Sequence, residues 1–508
     1  MFAVALALIV DFAALARGAH DLWAATAVYF ALLGLAAAVF IRAAWTQESP
    51  GVSKDFAAPL AFIAFAMAVS FSRAVNPSES FLGLMDWLAA LAAFWVALNV
   101  LRSERDLATF LAVVAPVFAA EALIHAYQRA TIAVPIVDAA GARHNAPQAL
   151  TFLVTQSWGT LVNANLAAAF SLPWVPVLFH RAWRGRRLVY WTAAAAAGLC
   201  FAFAFSAWGW ISLLLGAPLI FGFEGARGWL WRRRVFVFLA AGAALACGAA
   251  LVWWKLSHTH DWAGNQLRAG ENISRVLWWK SGLQMFLASP WWGVGVGNFG
   301  SAYLAFKTGS GQNTLFAHSF PVALAAETGL LGCAAVLFFL ASWLRRVVAH
   351  WSDVGGRRPF IAGLAMLLAF SAISLSMEYL VNLLVCALFL GIVAAPTAES
   401  FWKPRLSSAL VLGAASIAAG AFLLAPFLAS RNCVAAEERL SRGEATGAIE
   451  SFASAAALDP LSSAAQRGWA RALSTLNPEQ AVLHQRRAVD LDRLNGLLWW
   501  ELGDYLRA

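Results

Sequence analysis

The chain has 508 residues, of which 61% are hydrophobic and only 12% charged. Soluble domains carry about 25% charged residues, and no water-soluble core could hide this much apolar surface. The net charge of +9 would suit a nucleic-acid partner, but its distribution along the chain argues for none.

Apolar runs long enough to cross a bilayer as helices recur from one end of the sequence to the other. Thirteen spans are expected, at 2–16, 22–41, 56–72, 82–100, 107–128, 161–179, 188–205, 208–222, 235–254, 320–344, 360–377, 379–396 and 406–428. The fold class is therefore all-α, a polytopic membrane helix bundle. The first run starts at Met1 without a basic lead or a small-residue cleavage site, so it reads as a retained helix. It is short and carries Asp11.

Lys and Arg separate by loop. One alternating set of loops holds 18 of them and the opposite set 9, and the remaining 9 of the 36 follow residue 430. The richer set also occupies the shorter loops, which the positive-inside rule places in the cytoplasm. Three larger segments then fall on the far side: 129–160, 255–319 and the tail from 429. The expected organisation is a membrane body over 1–428, carrying the 255–319 loop, and a helical tail over 432–508.

Cys200, Cys247, Cys333, Cys386 and Cys433 contain no C-x-x-C pair. Neither a disulfide framework nor a cysteine metal site is expected from them.

Polar residues in and near the spans carry the candidate chemistry. Glu121 and His125 form an i, i+4 pair near the outer end of a helix, where intramembrane charge is functional or structurally paired. Asn163 and Asn165 in "GTLVNANLAAA" suit a helix cap or a sugar contact. His258 and His260 in "SHTHD", with Asp261, hint at a metal only weakly, and no metal site is assigned.

Gly295 to Gly300 in "PWWGVGVGNFG" spells G-x-G-x-x-G. That pattern marks a dinucleotide turn only when a strand precedes it and a helix opens from it. Here no β-branched strand comes before it, and the segment lies in the far-side loop. The glycines instead suit a tight turn or close backbone approach to a ligand or another helix. Trp262, Trp291 and Trp292 in the same segment could stack on sugar rings. No cofactor is called for.

Taken in order, these pieces carry a resemblance. Arg275, the pair Leu277-Trp278, Pro290, the turn from Gly293 to Phe299, His318 and "ETGLLG" from Glu327 to Gly332 resemble the signature region of the O-antigen ligase and polymerase superfamily. "GTLVNANLAAA" at 159–169 resembles a further family segment. The resemblance covers roughly 150 to 435 and implies a bacterial inner-membrane, multi-pass glycosyltransferase of polysaccharide or lipopolysaccharide biosynthesis. It implies a glycan donor linked to undecaprenyl diphosphate and an acceptor hydroxyl on lipid A core, a growing glycan or a protein. The implied reaction inverts the anomeric centre and needs no metal, and the loop and tail would be periplasmic.

The resemblance also implies roles. Arg275 would hold the diphosphate, whose developing charge needs fixed cations and whose oxygens match a planar guanidinium fork. His318 would take the acceptor proton. Substrate contacts are expected from Lys280, Arg268, Asn163, Asn165, Asn298, Glu327 and Trp292, with Glu327 also suited to orient the loop by hydrogen bonding. A second family Arg is missing: its place reads Ser206-Ala207-Trp208, and Lys280, Lys255 or Arg268 are the candidates to replace it.

The tail is charged and Ala-rich. "AAALDP" and "RAVDLD" align Leu458 with Leu491 and Asp459 with Asp492, a period of 33, close to the roughly 34 residues of tetratricopeptide hairpins. An apolar edge left open at its last helix would need the membrane surface or a protein partner. Two other classes compete with a transferase: a lipid-linked sugar transporter, which would want internal repeats and a charged central path, and a scaffold presenting the tail.

Overall fold

A computed structural model describes residues 1–46, 54–131, 135–137, 143–145, 156–204, 206–220, 262–308, 312–397 and 406–507. Apart from a short antiparallel pairing of Pro135–Val137 with Arg143–Asn145, every described element is helical. Seven described helices are long and apolar enough to cross a membrane. The chain is a multi-pass, all-α membrane protein. The expected span 235–254, with Cys247 and the "SHTHD" segment, lies outside the described residues.

Twelve of the thirteen expected spans fall on helix, and the differences have local causes. The run 161–179 is two helices, Ala164–Ser171 and Trp174–Gly185, because Pro173 lacks the N–H that would continue the ladder. Much of 255–319 is helical, through Trp262–Ala288 and Phe299–Phe306; a search for long apolar runs passes over both, the first because its first half is polar and the second because it is short. The boundary expected between body and tail falls inside one 36-residue helix, Leu406–Ser441.

The chain forms two compact units. The first comprises Met1–His20, Val100–Val276 and His350–Thr397. At its centre Leu380–Ala394 is buried along its whole length, as a helix apolar on every side must be. Trp174 is fully buried and meets Phe389 edge to face at 4.9 Å. The buried Arg357 donates to the carbonyls of Ile392 and Arg102, at 2.8 and 2.6 Å. It thereby satisfies one of the carbonyls that a helix C-terminus leaves open.

The second unit comprises Asp21–Asn99, Leu277–Ala349 and Ala398–Ala508. Phe94 packs edge to face on both Phe56 and Phe339, at 5.4 and 5.1 Å. The Tyr29 hydroxyl donates to Asp86 at 2.6 Å, and Arg345 and Arg346 each pair with Asp55 at 3.1 Å. The tail belongs to this unit. After Leu406–Ser441 it continues as Ala445–Leu458, Ser463–Leu473, Pro478–Leu491 and Gly496–Tyr505. Ser462, Asn477 and Asn495 cap the last three of these through their side chains, the role such residues fill at orphan N–H groups. Small side chains fill the tail's core around Phe452. Arg467 grips Glu501, 34 positions on, at 2.5 Å, and Arg471 pairs with Glu437, also 34 positions away in sequence.

Candidate functional site

The glycine stretch owes its shape to a break in the helix that follows it. Phe320–Ala349 is interrupted at Gly329, with φ +63° and ψ −161°. The break turns backbone groups around it outward, and the stretch from Pro290 to Gly295 takes them up. The N–H groups of Val294 and Gly295 donate to the carbonyls of Ala326 and Glu327, both at 3.0 Å. On the other side of the break, Leu330 and Leu331 donate to the carbonyls of Pro290 and Trp291, at 2.8 and 3.1 Å. A Cβ at Gly293 would lie 2.2 Å from the Glu327 carbonyl, and one at Gly329 would lie 2.5 Å from Trp291. Both glycines also have positive φ, so close approach and dihedral angle each exclude a side chain. The motif is a backbone seam between a loop and a broken helix.

Glu327 closes the seam with its side chain. One carboxylate oxygen accepts from Gly297 N at 2.9 Å and the other from Phe299 N at 3.1 Å. The carboxylate thus orients the loop by hydrogen bonding. Asn298 is fully buried. Its amide oxygen accepts from Asn76 N at 2.9 Å, and its amide nitrogen donates to Asn76 O at 3.0 Å. Expected to touch substrate, it is committed to joining two loops 222 positions apart. Trp292 is exposed, and the Arg73 guanidinium lies over its ring at 5.1 Å. Lys280 is exposed.

His318 stands two residues before the start of Phe320–Ala349. Its φ is +54°, a left-handed conformation that few non-glycine residues adopt and that clusters at functional positions. Its ring is half-buried and stacks on Trp278 at 4.4 Å. Trp278 is in turn fixed by its indole N–H, which donates to the Gln312 carbonyl at 2.9 Å. Trp278, Val294, Phe299, Tyr303 and Ala317 share one buried cluster, so the histidine's stacking partner and the glycine seam have a common core. In the sequence Trp278 shows no task of its own; its place in the Leu277-Trp278 pair is the signal it carries.

Arg275 belongs to the first unit. It is 8% exposed and donates to the carbonyl of Ile373 at 3.1 Å, the last residue of Arg358–Ile373. Trp208 lies under the guanidinium, 5.3 Å from its centre. Trp208, next to Ser206 and Ala207, thus gives Arg275 an aromatic face. Ser206 donates to Asn165 at 2.7 Å. Asn163 caps Ala164–Ser171, accepting from Leu166 N at 2.8 Å. The side chain of Arg268 lies outside the described residues.

Glu121 and His125 are buried and structurally engaged. Glu121 accepts from the backbone and hydroxyl of Thr160, and His125 Nδ1 bonds Ser157 Oγ at 2.8 Å. One turn beyond His125 on the same helix, Gln128 binds the backbone of Trp158 and Gly159 and Arg129 donates to Phe203 O at 2.9 Å. The helix face holds the entry to "GTLVNAN" in place. Among the described residues, no group of three or more His, Cys, Asp or Glu side chains is arranged to hold a metal ion.

Residues 192–337 match the family model described as O-antigen ligase. Arg275, Trp278, Lys280, the glycine seam, His318 and Glu327 all lie inside the matched region, whereas Asn163, Asn165 and the tail lie outside it. No curated protein matches the chain. That stretch is thus similar to the O-antigen ligase family, which supports the resemblance to the O-antigen ligase/polymerase superfamily.

Proposed function

We propose that the chain transfers a glycan from undecaprenyl diphosphate to an acceptor hydroxyl, with His318 as general base and Arg275 as a diphosphate ligand. The family match supports an O-antigen ligase-like membrane glycosyltransferase in general. The observation that carries the finer reading is His318. A histidine held in a left-handed conformation and stacked on a tryptophan opens the hydrophobic helix Phe320–Ala349. A lipid-linked diphosphate sits at such a boundary, because its polyprenyl chain stays in the bilayer and its charge does not.

In the proposed step the acceptor oxygen forms a bond to the anomeric carbon. The bond from that carbon to the diphosphate oxygen breaks, and its electron pair leaves with the diphosphate. The acceptor proton passes to the His318 imidazole. A single direct attack inverts the anomeric centre, and no metal is needed for charge balance if cationic side chains meet the leaving group. Arg275 suits that task. A guanidinium steadied by a carbonyl and an aromatic face keeps its plane, which is what two-point recognition of phosphate requires. Periplasmic placement of loop and tail is supported by the basic residues of the alternate loops. It is also supported by contacts within the second unit, where the tail and residues 294–298 both meet residues 74–78.

The test is in vitro transfer from a purified undecaprenyl-diphosphate glycan to lipid A core, free glycan or protein. General-base help is worth about 10² to 10⁴ in rate, so His318→Ala is expected to lose about that factor while still binding donor. Arg275→Lys keeps the charge but loses the fork, and is expected to lose donor turnover while remaining folded. Full activity in His318→Ala, or a product that retains the donor's anomeric configuration, would overturn the assignment.

A further inference from the structure

The two aspartates that the 33-residue period aligns sit on successive turns of the tail, and both lie near Glu79 at the start of one helix. Asp459 accepts from the Ser78 hydroxyl at 2.9 Å. Asp492 is buried and accepts from the Asn495 side chain at 3.0 Å, and it lies close enough to Asn76 for that amide to act on its carboxyl. Successive tail turns therefore reach positions 78 and 76, at the start of the helix Pro77–Val100. The segment after Asp492 adds two more contacts. Arg493 donates to the Ala74 carbonyl at 3.4 Å. Leu494 packs, together with Val75, against the buried cluster that holds Trp278, Val294 and Phe299.

The segment so gripped, 74–78, is the one the glycine seam depends on. Val75 N donates to the Val294 carbonyl at 3.0 Å. Asn76 makes both amide bonds of Asn298. Ser70, just before it, donates to the Glu327 carbonyl at 2.8 Å. Glu327 in turn clamps Gly297 and Phe299. A continuous path of packed and hydrogen-bonded groups runs from the tail through 74–78 to the seam. A second, shorter path runs through Leu494 to the cluster whose Trp278 stacks on His318.

We propose that the tail turn Asp492–Asn495, assisted by Asp459, is a positioning element of the transferase site, fixing the 74–78 segment and through it the glycine seam and the seat of His318. The tail is on this reading part of the enzyme, not only a handle for partners. None of its residues touches substrate. They act through Asn76, Asn298 and Trp278. This rests on the transferase reading given above.

The experiment uses the full-length protein. Leu494→Ala and the double variant Asp459→Ala with Asp492→Ala are compared with wild type, with Leu494→Met as the conservative control. Trp500→Ala, on an exposed tail side chain, serves as a remote control. Transfer kinetics and hydrogen exchange of peptides covering 290–300 are read for each. Misplacing a catalytic group by an ångström costs up to about a hundredfold. The expected result is a fall in kcat of about ten- to a hundredfold, an unchanged donor KM, faster exchange at 290–300, and recovery in Leu494→Met. Unchanged kcat and exchange in both test variants would overturn the proposal. So would a loss that appears equally in Trp500→Ala, or one that follows general unfolding without selective exchange at 290–300. If wild type transfers nothing to any acceptor, the transferase reading fails by itself. The exchange at 290–300 then still decides whether the tail fixes the seam.

Discussion

Glu327 offers the most direct test of how the glycine seam is held. Its two carboxylate oxygens each accept one backbone N–H, from Gly297 and from Phe299. Hydrogen bonds to a charged group contribute about 1.5–3 kcal/mol each. The Gly297 bond is exposed to solvent, which puts it near the low end of that range. Glu327→Gln keeps one oxygen and turns an amide N–H₂ toward the other backbone donor, so one bond is lost and two donors face each other. A local cost of about 2 kcal/mol follows, or roughly a thirtyfold shift toward the open loop at about 1.4 kcal/mol per tenfold. Glu327→Ala loses both bonds and should cost about 3–5 kcal/mol. Hydrogen exchange at Gly297 and Phe299 reads this directly: protection should fall in the order wild type, Gln, Ala. Exchange at Val294 and Gly295, bonded to the helix carbonyls, should fall less. Wild-type protection at Gly297 and Phe299 in both variants would refute the clamp.

Acidification should loosen the tail at His484. Burial, aided by the nearby Arg487, holds this imidazole below its ordinary range. It is stacked at 3.8 Å on Trp469 and bonded to Gln466. As pH falls through the ordinary histidine range the unfolded tail takes a proton that the folded one refuses, so stability drops between about pH 6.5 and the lower folded value. Asp492 works in the opposite sense, because burial raises its carboxyl. In the window just above the ordinary carboxylate range the folded form holds the extra proton, and stability falls as pH rises there. Exchange of peptides from 463–491, corrected for intrinsic rates, should show a loss of protection on acidification that His484→Gln removes. Sidedness is tested in a cysteine-free background. Asn313→Cys and Gln480→Cys, both on exposed positions, should react together with a membrane-impermeant reagent in intact spheroplasts. Reaction at one position but not the other would break the assignment.

Much of the bundle was legible because hydropathy is a one-dimensional signal. A buried helix such as Leu380–Ala394 must be apolar on every side, and its neighbours need only an apolar stripe. Capping chemistry was also readable: Asn163 precedes an alanine-rich run, and it caps the helix there. Trp262–Ala288 was not found, because its polar first half carries no apolar run. The pairing of Asn76 with Asn298 was out of reach altogether. Two asparagines 222 positions apart leave no periodic trace, and each alone looks like an ordinary loop residue.

The glycine motif shows where pattern and physics part. G-x-G-x-x-G lacks the preceding strand that a nucleotide turn needs, and what stands against it is a broken helix. Gly329 supplies the break, with a positive φ at which a β-branched residue would be an outlier. The break releases backbone groups which, buried and unpaired, would each cost about 1–3 kcal/mol. The loop's own N–H and C=O groups meet the same requirement from the other side. Glycines at 293 and 329 are what let the two backbones come close enough to satisfy each other. The sequence therefore carried both halves of the seam in plain view, as "PWWGVGVGNFG" and "ETGLLG". What it could not carry was their register. That is set by two carbonyls and one carboxylate on Ala326 and Glu327, and it exists only once the chain has folded.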